Sequence, residues 1–295
     1  MYLAGTEPLG PHSEAMRHVL HARGAAQLYD RSRFALWRVA NQRLQSRQIL
    51  LREGPNPDQM SWLSMLDDDR PDIHMTADIL RINALCAAAK KAVYDSATDM
   101  TLVEQLAMVQ QLAQEMDALL VSVESWDAQL DGVWKPQDHD PRHITQPHDL
   151  ETSTAVPIPL LTCPRMLLYH DIWLAHMSTF FGATKIVLRE SLVELLRHGA
   201  HLSGEMSDLQ LAQRIQEQQA AVDRLSGAVI RSFPALMGFT RQAAQTSSPR
   251  QGKMAGRSFI LFPMWVIQRA EFTSPVHKAT ATEVLQWIKS SHGLG

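Results

Sequence analysis

The side chains best suited to chemistry are an aromatic hydroxyl and two imidazoles on one apolar stretch. Tyr169, His170 and His176 fall within residues 165–198, interleaved with Trp173, Phe180 and Phe181. Imidazole titrates near neutrality, so each histidine can act as acid or base toward a molecule held beside it. At about 100° per residue, a six-residue separation puts the two histidines roughly 120° apart around a helix, so one metal ion cannot easily bind both. Hydrogen-bonded core histidines are the plainer reading of the same pattern. If the chain is an enzyme, His170, His176 and Tyr169 are its candidate catalytic groups.

A second concentration of donors runs from Asp138 to Asp149, with His139, Asp140, His143 and His148 between them. These are good ligand types for zinc or another divalent metal. The segment has no rigid element to hold four of them in place, however, and reads as a solvated loop, so no metal is expected. Cys86 and Cys163 make neither a zinc site nor a disulfide framework, and suit a reducing interior. Neither a Gly-x-Ser-x-Gly elbow nor a phosphate-binding glycine loop occurs. No cofactor is called for. Any enzyme here would hold a hydrophobic substrate in a helical cavity. Cyclisation, dehydration or pericyclic closure would fit, because positioning carries much of such reactions.

The elements that must position these groups are helices. In residues 101–130, Leu102, Leu106, Val109, Leu112, Met116, Leu120, Val123 and Leu130 recur at three- and four-residue steps, with Glu104, Gln111, Gln114, Asp117 and Asp127 filling much of the other side. Further helices are predicted near 12–23, 31–52, 74–96, 165–198, 207–232 and 276–291. The 165–198 stretch is apolar around so much of its circumference that it must be buried on most sides. Pro263, inside the apolar run Phe259–Ile267, should break or kink its helix. Residues 131–159, with five prolines, read as a long loop, and 244–257 as a shorter one. The expected fold is all-α: one domain, 1–295, an irregular multi-helix bundle around a central buried helix.

Charge and composition limit the partners. The chain has 295 residues, 45% of them hydrophobic, and a formal net charge of −3. Proteins that grip phosphate backbones usually carry a basic excess. The first 53 residues are locally basic, with eight arginines against four acids. Arg31, Arg33, Arg38, Arg43 and Arg47 are nevertheless spread around their helix as a solvated face would be. No apolar run approaches the roughly 20 residues that span a bilayer. The N-terminus lacks the pattern of a secretory signal. Nucleus or cytoplasm is the expected compartment.

Three blocks resemble the regulatory domain of fungal zinc binuclear-cluster transcription factors. The first is Glu14–Leu28, containing Arg23-Gly24, followed by Phe34, Trp37 and Trp62; the second is Leu168–Ala175 running on to Lys185–Leu188. The third is Gly256 through Pro263-Met264-Trp265-Val266, with Trp287-Ile288 and the terminal Gly293-Leu294-Gly295. They follow the family's order across nearly the whole chain. The family's DNA-reading module is a six-cysteine zinc cluster, and only two cysteines occur here. The sequence therefore reads as a truncated chain or as a gene that has lost its DNA-reading half. Where such proteins often carry an arginine in the central helix, this chain has Gly182, which opens space for a ligand or a close helix crossing.

The resemblance implies a domain of transcription regulation that binds a small molecule or protein partner without contacting nucleic acid itself. The alternative is a stand-alone enzyme of secondary metabolism on the same scaffold. Either would need a ligand-binding pocket for a small hydrophobic metabolite, for which Tyr169, His170, Trp173, His176, Phe180, Phe181 and Trp265 are the expected lining. No membrane partner is expected, and a homodimer is compatible with the pattern.

Overall fold

The computed structural model describes residues 12–66, 70–95, 100–130, 132–140, 165–204, 209–237 and 252–291. Its contacts group into two compact units, Met1–Ser96 and Ala97–Gly295. Both are built almost wholly from helices, as the periodicity predicts.

The first unit contains α1 (His12–Arg23), a 3-10 turn (Ala25–Leu28), α2 (Arg31–Leu51), α3 (Pro57–Leu63) and α4 (Pro71–Tyr94). Gly24, at φ 60°, lets the chain leave α1 sharply. The Gln27 amide then closes the turn by donating to the Leu20 and Gly24 carbonyls at 3.0 and 2.9 Å. Asp30 caps α2 by accepting from the Arg33 N–H at 2.9 Å. The short α3 escapes the periodicity analysis but has strong local signals: Pro57 at its first turn, and a reciprocal capping box between Asn56 and Gln59. The core gathers Leu20, Trp37, Leu44, Trp62, Ile73 and Leu80, with Phe34 stacked on Trp37 at 5.6 Å.

The second unit contains α5 (Leu102–Gln129), β1 (Gln137–His139), β2 (Met166–Leu168), α6 (Ile172–Ser203), α7 (Leu209–Arg231), α8 (Phe233–Leu236), α9 (Gly252–Arg269) and α10 (Pro275–Ser291). Helix α6 is the predicted central helix, and α5, α7 and α9 pack around it. Its start differs from expectation. Residues 166–168 pair antiparallel with 137–139, Leu167 opposite Asp138, and Asp171 then caps α6 by accepting from the Leu174 N–H at 2.9 Å. Strand pairing between segments nearly thirty residues apart leaves no trace in local periodicity. The remaining described part of the predicted 131–159 loop is a turn leading into β1; 141–159, like the 244–251 part of the shorter loop, lies outside the described residues.

Glycine sets two crossings of α6. A methyl group on Gly182 would stand 3.0 Å from Val229 Cγ2 on α7, and one on Gly199 would stand 3.0 Å from Val109 Cγ1 on α5. The space at Gly182 therefore serves a close helix crossing. Pro263 sits inside α9, which continues through it. Among the described residues no helix is long and apolar enough to cross a membrane.

Candidate functional site

The residues expected to line a pocket do not all meet. His176 is buried and stacks on Phe259 of α9 at 3.8 Å, with Trp173 edge-on at 5.5 Å and Phe180 at 6.0 Å. Phe180 in turn meets Phe262 at 4.7 Å. These rings form one packed aromatic set between α6 and α9. Phe181 points elsewhere, edge-on to Trp126 of α5 at 6.4 Å, under the Lys185 ammonium at 4.9 Å. Trp265 lies beneath the Arg269 guanidinium at 3.8 Å, a cation–π contact.

Tyr169 and His170 precede α6. The Tyr169 hydroxyl is buried and shares hydrogen bonds with Ser178 Oγ at 3.1 Å and Ser232 Oγ at 2.9 Å. Burial pushes its phenol above the usual range, against the two serine hydroxyls, which pull it down. His170 instead turns outward, its side chain 45% exposed, with Asp171 at 3.6 Å. Tyr169, His170 and His176 are thus three separate environments. In the Asp138–Asp149 segment, Asp138 receives a hydrogen bond from Arg231 at 3.0 Å. The donors from 141 onward lie outside the described residues. Among the described residues, no group of three histidine, cysteine or carboxylate side chains is placed to hold a metal.

A charge ladder on α6 leaves no mark in the periodicity. Lys185 and Arg189 are buried, yet each reaches an acid on α5: Lys185 binds Asp127 at 2.7 Å and Arg189 binds Glu124. Arg189 also donates to Gln218 of α7, and Arg214 of α7 pairs with Asp117 of α5. The acids follow helical steps of seven and three, so they share one flank of α5. A second cluster joins α7 to α10. Asp223 accepts from the Ser274 N–H at 2.9 Å and lies 2.8 Å from His277 Nδ1. Burial raises the Asp223 carboxyl, but the Ser274 N–H and His277 outweigh it, leaving the group below its ordinary value. This arrangement fastens the start of α10.

The first unit has a cleft, a space of about 190 Å³ whose lining includes Arg17, Leu44, Arg47, Gln48, Glu53 and Gln59. Its position follows from how α2 ends. Arg52 takes the left-handed conformation at φ 49°, and the Glu53 N–H returns to the Gln48 carbonyl at 2.8 Å. That turn brings the Glu53 carboxylate back to 3.8 Å from Arg47. From the cleft wall inward runs an amide chain, half-buried at Gln48 and buried at Gln59 and Asn41: Gln48 donates to Gln59 at 2.7 Å, and Gln59 to Asn41 at 2.8 Å. The Gln45 and Asn83 amide oxygens nearby are buried without a hydrogen-bond partner among the described residues. Side-chain amides this deep are costly to bury, and natural cores rarely accumulate them. The signal existed in the sequence, as Asn41, Gln45 and Gln48 recur at three- and four-residue steps along one side of α2.

Comparison with protein-family models, curated proteins and solved structures returned no match to this chain.

Proposed function

We propose that this chain is a regulatory domain of transcription-factor type that binds a small molecule, makes no contact with DNA itself, and reads its ligand in the first-unit cleft. The observation that carries the ligand-binding part is that cleft: a concavity lined by two glutamine amides, two arginines and a glutamate. Such sites combine shape with a few placed polar groups. The transcriptional part is supported by the three sequence blocks and their order. Binding is favoured over turnover by the separation of Tyr169, His170 and His176, because acid–base chemistry needs its groups to converge on one reacting atom. The hydrophobic metabolite expected beside the central helix gives way to a polar one, since the aromatic side chains there pack on one another.

The test is to incubate the purified protein with fractionated metabolite extract and follow both melting temperature and ligand mass. A fraction that raises the melting temperature and is recovered with its masses unchanged is the expected result. Time-dependent conversion to new masses would establish an enzyme instead. If no fraction stabilises the protein, the ligand-binding reading fails.

A further inference from the structure

We propose that the outer face of α5 is a self-association surface, on which a second copy of this chain lays its own α5 antiparallel. The inference is independent of the cleft and concerns a different part of the chain.

Surface helices ordinarily carry their charges on the side turned away from the core. On α5 that side is bare. Val103, Ala107, Gln110 and Gln114 occupy it in the first half of the helix, and Ala118, Val121, Ser125 and Ala128 continue it at three- and four-residue steps. At about 100° per residue they fall within an arc of roughly 80°. Every one of them is exposed, Val103 at 75% and Val121 at 67%, and none is charged.

The charges of α5 stand on its flanks, and the chain's own groups answer them. Thr101 donates to Glu104 and Gln111 to Glu115, while Arg214, Arg189 and Lys185 pair with Asp117, Glu124 and Asp127. A basic partner would have to displace those contacts. An apolar partner or a lipid surface would strand the Gln110 and Gln114 amides without hydrogen bonds. The strip matches a neutral surface of mixed aliphatic and amide character, and a second α5 is such a surface.

Its residue order suits a two-fold axis, across which one residue meets another and the second meets the first. With two copies antiparallel about the level of Met116, Val103 faces Ala128 and Gln114 faces Ala118, a larger side chain against a smaller one each time. Ala107 meets Ser125, both small enough for close approach, and Gln110 meets Val121. The same axis brings together two Asp117–Arg214 pairs, one from each copy, whose charges sum to zero. On the other flank Glu115 approaches its own symmetry mate, a like-charge contact that weakens the pairing. A helix of 28 residues is about 42 Å long, and a strip roughly 10 Å wide is covered on each copy. The total of about 850 Å² lies below the range of stable complexes, so the dimer is weak and forms at high protein concentration.

Sedimentation velocity of the full chain provides the test, over concentrations from about 1 to 300 μM. Expected is a reversible monomer–dimer equilibrium with a dissociation constant on the order of tens of micromolar. Ala118→Arg replaces an exposed residue near the axis and should weaken association by about tenfold or more. Val121→Arg is the second variant if the first does not fold, as circular dichroism establishes. Glu115→Gln should tighten association by removing the like-charge contact. Orientation is read by mixing Val103→Cys with Ala128→Cys under mild oxidation, wild type serving as the control for Cys86 and Cys163. The mixture should cross-link, and neither variant should do so alone.

A chain that stays monomeric through the whole range overturns the proposal, as does association that Ala118→Arg and Val121→Arg leave unchanged. Cross-linking of Val103→Cys to itself overturns the antiparallel arrangement, as does a Glu115→Gln dimer no tighter than wild type.

Discussion

Lys185 meets Asp127 at 2.7 Å across an asymmetric boundary: the lysine side chain is 7% exposed and the aspartate 41%. The cation is the buried partner, so its hydration was surrendered on folding and the aspartate supplies the compensation. Removing one partner of such a pair leaves an uncompensated charge, whereas removing both can be nearly neutral. Asp127→Asn should destabilise the protein by about 2 kcal/mol, a value below the fully buried range because the acid is half in water. Lys185→Met should cost less, and the double variant should recover most of the loss. Urea melts arranged as a double-mutant cycle measure the coupling; additive effects would remove the ladder from the account.

Gly182 and Val229 define a second relationship with a directional outcome. Alanine in place of glycine inside a helix ordinarily gains roughly 1 kcal/mol. Here its methyl group would stand 3.0 Å from a β-branched side chain with little freedom to turn. Overpacking costs about 1–3 kcal/mol, so Gly182→Ala should be net destabilising by about 1 kcal/mol. Adding Val229→Ala should rescue part of that deficit. A Gly182→Ala protein more stable than wild type would show that the crossing yields.

Tyr169 fastens the segment before α6 to α8's approach through Ser178 and Ser232. Tyr169→Phe removes both contacts and should cost about 1–2 kcal/mol. The phenol's folded pKa lies above its unfolded value because of burial, so the neutral form is the one the fold favours. Stability from this group is present below the unfolded value of about 10 and is lost as pH rises through the folded one. Ultraviolet titration should show one tyrosine resisting ionisation until the protein unfolds, and Tyr169→Phe should erase that late step.

Asp78 offers the opposite end of the pH scale. Burial raises its carboxyl, against the pull of His74 and Arg81 at 3.3 Å each. A raised carboxylate is most at home when protonated, so its contribution is greatest below the unfolded value near 4 and is lost as pH climbs through the folded value. Asp78→Asn should therefore raise the urea midpoint at neutral pH and flatten its change as pH rises above about 4. An unchanged slope would place the charge of Asp78 outside the stability balance.

The helices were legible where one face met one partner. Residues 102–129 bury Val109, Met116, Leu120 and Val123 as their spacing demands. Leu102, assigned to the same stripe, is 53% exposed, because periodicity identifies a face without telling where the packed surface stops. The central helix began seven residues late because Met166–Leu168 found a strand partner that no local rule foresees. Its cations were legible as residue types but not as a ladder, since the acids that hold Lys185 and Arg189 stand on α5 and read there as a solvated flank. Site residues fared likewise. His176 and Phe180 came together, while Tyr169, His170, Phe181 and Trp265 each went to separate neighbours. Which of a buried helix's faces meets which partner depends on tertiary packing, and α6 is buried on nearly all of them.

Pro263 has a consequence beyond its place in α9. It carries no amide hydrogen, so the Phe259 carbonyl, four residues earlier, has no helical donor to accept from. The interrupted rung and the ring stacked on His176 therefore belong to the same residue, Phe259. Any flexing of α9 at that weak rung moves this ring directly, making the His176 stack the local gauge of how far the helix bends.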